Sequence, residues 1–235
     1  MSSLSILSGG AAQGLVASLA PAFKAQTGFE IAGEFGAVGA MAEKLRNGAP
    51  ADIVILTAAI VAALAEEKLV VASSISDVGL VETALAVRIA DPQATVRDAA
   101  GLRDALLDAD AIFVPDTKAS TAGIHVAKVL MQLGIADDVA DRLRVFPNGA
   151  TAMRELATSD AQRPIGCTQS TEIISTGGVR LSGSLPPGCE LATMYTAGIA
   201  TRAAHALEAQ VLIGLLTGTG QRGQRERAGF IGGPE

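Results

Sequence analysis

Short runs of Val, Ile, Leu and Ala alternate along the chain with longer stretches in which apolar residues recur every three or four positions. The first pattern suits buried strands and the second amphipathic helices. It predicts strands near 4–8, 29–35, 52–56, 78–89, 111–114, 144–146, 164–167, 179–181 and 191–200. Helices are predicted near 11–26, 38–47, 58–67, 98–107, 121–133, 149–158, 203–216 and 219–228. The order is that of an α/β protein. The longest near-apolar run, Ile53 to Ala65, is broken by Thr57 and is far below the roughly 20 residues that cross a bilayer, so it reads as a strand followed by a helix.

One stretch joins several elements without interruption: GAVGAMAEKLRNGAPADIVIL, residues 36–56. Gly36, Ala37, Val38 and Gly39 form a loop of small residues. A helix follows to Asn47, Gly48 is placed to take the left-handed C-terminal position, and Pro50 prevents continuation. A helix N-terminus behind such a loop has unpaired backbone N–H groups and partial positive charge, and holds an anion without Lys or Arg. The plainer reading is an ordinary tight turn before a helix.

The run is similar to the segment that carries a ligand loop in the periplasmic molybdate-binding proteins of ABC importers. Other stretches agree with it in order. LSILSGGAAQG, 4–14, resembles the family's opening strand and first ligand loop, and TAGIHVAKVLMQLGI, 121–135, resembles its second-lobe helix start. NGATAMRELATSDAQRPIGCTQSTEI, 148–173, resembles the stretch with the last ligand contacts, and LPPGCELATMYTAGIATRAA, 185–204, the return crossover. The resemblance implies an α/β, two-lobed type 2 periplasmic binding protein fold. Its ligand cleft is expected between lobes joined by two crossover strands, with lobe 1 at 1–81 plus 198–235 and lobe 2 at 82–197.

Composition narrows the partners. The chain has 235 residues, 49% of them hydrophobic, enough for a substantial core. Its formal net charge of -6 argues against nucleic acid, which needs a basic face. The Arg222, Arg225 and Arg227 cluster is interrupted by Glu226 and reads as a solvated helix face. Nothing suggests membrane insertion. Cys167 and Cys189 are too few for a disulfide framework and read as free thiols. The first strand starts almost at Met1, which implies a cytoplasmic protein if that Met is the native start and a periplasmic one if a signal peptide has been removed.

Departures from the molybdate pattern bear on the ligand. That family typically presents Ser hydroxyls from the first two loops and a Tyr hydroxyl from the second lobe. Here the first loop reads Ser8, Gly9, Gly10, Ala11, the second has Ala37, Val38 and Gly39, and Gln169 stands where Tyr is expected. Each missing hydroxyl removes a hydrogen bond to charge, typically worth ~1.5–3 kcal/mol. What remains is backbone N–H in the first lobe and a polar second-lobe set of Lys118, Ser120, Thr121, Asn148, Gly149, Thr168 and Gln169, which suits a carboxylate-bearing ligand. Lys118, Ser120 and Cys167 are the candidates for chemistry. A carboxylate at the helix beginning at Thr121 would take the Lys118 ammonium together with the helix N–H groups, and a Cys167 thiol of shifted pKa would move protons. Against these stand a solvated loop lysine, a plain N-cap serine and a core cysteine. His125 and His205 read as structural or surface histidines, Glu34 as a solvated strand-end carboxylate and Glu172 as structural. No metal-ligand spacing, nucleotide loop or Ser-His-Asp arrangement appears. Any chemistry is then cofactor-free.

Two functions remain open. One is a cofactor-independent isomerase of a small unsaturated di- or tricarboxylate, because the branch the chain resembles includes aconitate isomerase-like enzymes working by an allylic proton shift. The other is a solute-binding protein delivering a small anion, a molybdate-like oxyanion or a carboxylate, to an ABC permease.

Overall fold

The computed structural model describes residues 2–232. In chain order the elements are β1 (Ser3–Gly9), α1 (Gln13–Thr27), β2 (Glu30–Gly36), α2 (Val38–Arg46), β3 (Ile53–Thr57), α3 (Ala58–Glu66), β4 (Ser76–Arg88), α4 (Ala99–Asp108) and β5 (Ala111–Pro115). There follow α5 (Thr121–Gln132), β6 (Leu143–Phe146), α6 (Gly149–Thr158), β7 (Pro164–Gln169), α7 (Ser170–Ile174), β8 (Val179–Ser184), β9 (Ala192–Ile199), α8 (Ala206–Thr217) and α9 (Arg222–Arg227). Each predicted strand and helix has its counterpart. The five-residue α7 has no predicted counterpart, because a single turn reading STEII has no apolar period to betray it.

Contacts divide the chain into two units, one running to Val81 and resuming at Thr193, the other Glu82–Ala192. The chain passes between them within β4 and at the start of β9. In the first unit the strands run β2-β1-β3-β9, with β1 parallel to both β2 and β3, and β9 antiparallel to β3. Ile53, Val54, Ile55 and Leu56 are all fully buried, so both faces of β3 are covered. The covering helices fall into two groups, α1 with α8 and α9, and α2 with α3.

In the second unit β7 lies between β4 and β5, β6 is parallel to β5, and β8 pairs with β4. Alternation along β5 sorts two cores. Ile112 and Val114 face the helices α4 and α5 through Leu102, Leu106, Val126 and Val129, while Ala111 and Phe113 face α6 and α7 through Met153, Leu156 and Ile173.

Two local expectations meet different outcomes. Gly48 adopts φ +82°, the left-handed backbone that ends α2 at little steric cost. Arg225 is not on a solvated face: it is 2% exposed, and its Nη1 donates to the carbonyls of Leu216 at 3.2 Å and Gly218 at 2.7 Å. The guanidinium satisfies carbonyls that the end of α8 leaves without helical partners.

Candidate functional site

In the first unit the two small-residue loops leave the sheet side by side. Gly9 and Gly36 end β1 and β2 and are register partners. Beyond them come the 3-10 turn Gly10–Ala12 leading into α1, and Ala37 at the N-cap of α2. Neither Ala12 nor Ala37 has a side chain able to cap its helix, so the first-turn N–H groups depend on other partners. No charged side chain occurs in Ser8–Gln13 or Gly36–Ala40. The loops are closely packed: Ala11 and Val38 belong to the core of the unit, and the Ser8 hydroxyl is buried and donates to the Gly9 carbonyl at 2.9 Å. A Cβ on Gly9 would lie 2.8 Å from Val38 Cγ1 and 2.9 Å from Tyr195 Cε1. Glycine is needed there because two side chains close over it.

Tyr195 was not singled out by sequence reasoning. It is the chain's single tyrosine, 1% exposed, and it packs edge-on to Phe230. Its register partner is Thr57, the last residue of β3, half-buried and N-terminal to α3 without capping it. The one legible signal for Thr57 was its polar interruption of the apolar run at 53–65.

In the second unit three connections leave the sheet at one end, because β5, β6 and β7 run parallel and Pro115 pairs with Phe146. The first leads to α5. Asp116 folds its carboxylate onto the N–H groups of Lys118 at 2.7 Å and Ala119 at 2.9 Å. The Lys118 side chain is exposed and forms no ion pair among the described residues. Ser120 is the N-cap of α5, half-buried, with no side-chain hydrogen bond to the helix, and Thr121 opens the first turn.

The second and third connections are bound to each other through Glu172. This carboxylate, 5% exposed, accepts the Thr168 hydroxyl at 2.6 Å and the backbone N–H groups of Gly149, Ala150 and Gln169. It thus caps α6, and at the third position of α7 it reaches back to the N-cap N–H in the manner of a capping box. Burial pushes its carboxyl up, and the donors, Thr168 foremost, oppose the shift without cancelling it. Asn148 caps α6 as well, accepting Thr151 N–H at 2.8 Å. A Cβ on Gly149 would fall 1.9 Å from Glu172 Oε2 and 2.1 Å from Thr168 Oγ1.

These contacts show what several of the expected site residues touch. Gly149 and Thr168 donate to Glu172, and Asn148 accepts the Thr151 N–H, so the N-terminus of α6 already holds a carboxylate of the protein itself. Cys167 is not at a ligand surface: it is packed in the α4–α5 core with Leu85 and Ile112, and burial pushes its thiol up to about 12. A thiol protonated throughout the neutral range and enclosed by hydrocarbon cannot carry protons to a ligand. Gln169, 4% exposed, ends β7 beside the start of α7. Glu34 pairs with Lys44 on the surface, His125 Nε2 is 2.8 Å from the Cys189 carbonyl, and His205 packs edge-on to Phe29. Both cysteines are free and buried. Among the described residues no group of three His, Cys, Asp or Glu side chains could hold a metal ion, and no helix is long and apolar enough to cross a membrane.

The sequence model of the family described as bacterial extracellular solute-binding protein matches residues 4–231. Aconitate isomerase from Pseudomonas sp is 22% identical over 221 residues, 91% of this chain and 81% of that protein. Among solved structures, the periplasmic molybdate-binding protein of Azotobacter vinelandii superposes with a TM-score of 0.81 at 20% identity, covering 99% of this chain and 100% of the other. The sulfate-binding protein SubI from Mycobacterium tuberculosis gives 0.75 at 18% identity, covering 98% and 86%.

Proposed function

Because the chain belongs to the bacterial extracellular solute-binding protein family and has the two-lobed type 2 periplasmic fold of its molybdate-binding-like branch, we propose that it binds a small organic anion carrying carboxylates. The observation that carries this reading is the pair of uncharged loops leaving Gly9 and Gly36 side by side, each ahead of a helix whose N-cap side chain satisfies none of its N–H groups. Gly10, Ala11, Ala37, Val38 and Gly39 then offer backbone donors to a carboxylate in the first unit. Lys118, Ser120 and Thr121 of the second unit offer an ammonium, a hydroxyl and helix N–H groups. Alanine, valine and glutamine at positions 11, 37, 38 and 169 withhold the hydroxyls that the resembled family gives to a tetrahedral oxyanion.

Isothermal calorimetry with molybdate, tungstate, sulfate, citrate and cis- and trans-aconitate tests the proposal. Micromolar or tighter binding of a carboxylate, with molybdate and tungstate at least about 100-fold weaker, is the expected result. Sub-micromolar molybdate affinity would overturn it. Under this reading the partner is an ABC permease and the place of action extracytoplasmic, as the family's description suggests.

The similarity to aconitate isomerase favours a second reading, in which the bound acid is also isomerised by an allylic proton shift. Abstraction of a proton beside a carboxylate builds charge on its oxygens, which fixed N–H donors stabilise, and a base returns the proton to the other allylic carbon. With Cys167 enclosed in a core, Lys118 and Ser120 are the groups left for that transfer. Proton NMR of cis- and trans-aconitate with the protein in deuterium oxide decides between the readings. Binding without isomerisation or deuterium incorporation leaves the binding-protein reading.

A further inference from the structure

Two hydroxyls at the β7 end of the second unit, Thr83 Oγ1 and Thr171 Oγ1, are buried and have no hydrogen-bond partner. Thr83 is the more telling. It is 1% exposed and lies directly across the antiparallel pair from Gln169, the last residue of β7. Directly opposed residues share a face of the sheet. Two residues along, the pair Leu85 and Cys167 belongs to the core that contains Val126, Val129 and Leu130 of α5. The strand period of two therefore turns Thr83 and Gln169 to the α5 side as well. The strand preceding α5 runs parallel to β7, with Phe113 beside Gly166, so α5 begins at the end of the sheet where Gln169 and Thr83 lie.

The backbone of Thr83 is fully used: its N–H donates to the Leu191 carbonyl at 2.8 Å, and its carbonyl accepts from Leu185 N–H at 3.3 Å. The hydroxyl is the group left over. Valine has nearly the same shape and would remove an unmet buried polar group, which ordinarily destabilises. A ligand oxygen reaching this point would satisfy it. Ser120, at the N-cap of α5, likewise makes no side-chain bond to its own helix.

We infer that Thr83 is a specificity-determining residue, its hydroxyl donating to a carboxylate oxygen of an organic anion held at the N-terminal turn of α5. The inference rests on the anion-binding reading above and assigns to it a residue outside the loops expected to hold ligand. Wild type, Thr83→Val and Thr83→Ser are titrated by calorimetry with citrate, cis-aconitate, trans-aconitate and molybdate, and their melting temperatures measured with and without each acid. Thr83→Val is expected to weaken the preferred acid at least about tenfold and to melt no lower than wild type without ligand, while Thr83→Ser stays within about threefold. Should Thr83→Val not fold, Thr83→Ala supplies the hydroxyl-free variant. Wild-type affinity in the hydroxyl-free variant overturns the inference, as does a Thr83→Ser protein as weak as Thr83→Val, since packing of the methyl would then be responsible. Wild type that binds molybdate alone overturns it together with the carboxylate reading, whereas an unaffected hydroxyl-free variant of a carboxylate-binding wild type overturns the inference alone. Wild type that binds none of the four ligands overturns both.

Discussion

Asp52 ends the Gly-Ala-Pro-Ala-Asp turn and is 2% exposed. Its Oδ2 accepts the Ser5 N–H and the Ser5 hydroxyl, both at 2.8 Å, and its Oδ1 accepts the His205 N–H at 2.9 Å. One carboxylate thereby joins β1, β3 and the N-cap of α8. Asp52→Asn replaces one oxygen by an NH2 group. Whichever way the amide turns, a part-buried N–H of Ser5 or His205 meets a donor, and the remaining bonds lose their charge. An unmet buried donor costs about 1–3 kcal/mol, and loss of charge assistance adds roughly another 1 kcal/mol. The sum is about 2–4 kcal/mol, a fall in melting temperature of roughly 4–16 °C for a chain of this size. The effect is pH-dependent. Burial alone would raise the Asp52 pKa, but the hydrogen bonds from the Ser5 and His205 N–H groups and the Ser5 hydroxyl outweigh it and hold the carboxyl below its ordinary value. A depressed folded pKa contributes stability that is complete above the unfolded value near ~3.9 and is lost as pH falls through the folded one. Urea unfolding of both proteins at pH 7 and across pH 5 to 2 is the assay: the gap is expected to be full at pH 7 and to narrow in acid. A variant within about 0.5 kcal/mol of wild type at pH 7, or a gap that widens in acid, refutes the reasoning.

Gly149→Ala drives a methyl into Glu172 and Thr168 and is expected to destabilise the second unit by about 1–3 kcal/mol or more, read as earlier urea unfolding; an unchanged midpoint contradicts the packing. Burial raises the Glu172 pKa, so its favourable contribution is complete below the ordinary carboxylate value near ~4.3 and declines as pH rises through the folded value. The stability of wild type relative to Glu172→Gln should therefore fall between pH 4 and 8; a rise would mean that the four donors favour the ionised form. Cys167, with its thiol pushed up to about 12 and its side chain enclosed, should react with a maleimide at pH 7.5 only in denaturant, and rapid labelling of the folded protein would show the core assignment to be wrong.

Much of this architecture was legible in the chain. The alternation of apolar runs with three-to-four-spaced rows located every strand and all helices but α7, because strands buried on both faces read as unbroken Val and Ile runs and longer helices show a 3.6-residue period. The loop-helix-turn-strand order of residues 36–56 was equally local, down to the positive φ of Gly48. The roles of individual polar residues were not, since they depend on which distant segments meet. Cys167 looked like a site residue because it falls at the end of a strand, where a thiol of shifted pKa would move protons, yet strand alternation turns its side chain toward α4 and α5. Gly149 and Thr168 looked available to a ligand until α7, a turn too short to predict, brought Glu172 onto them. Tyr195 and Thr57, about 140 positions apart, become neighbours through the β3–β9 register, and Thr83 gains meaning only from standing opposite Gln169. Local sequence determined the elements because propensity and periodicity act over a few residues. Only the tertiary structure decided the partners of the polar residues, because a buried polar group is defined by the groups that pairing and packing bring to it.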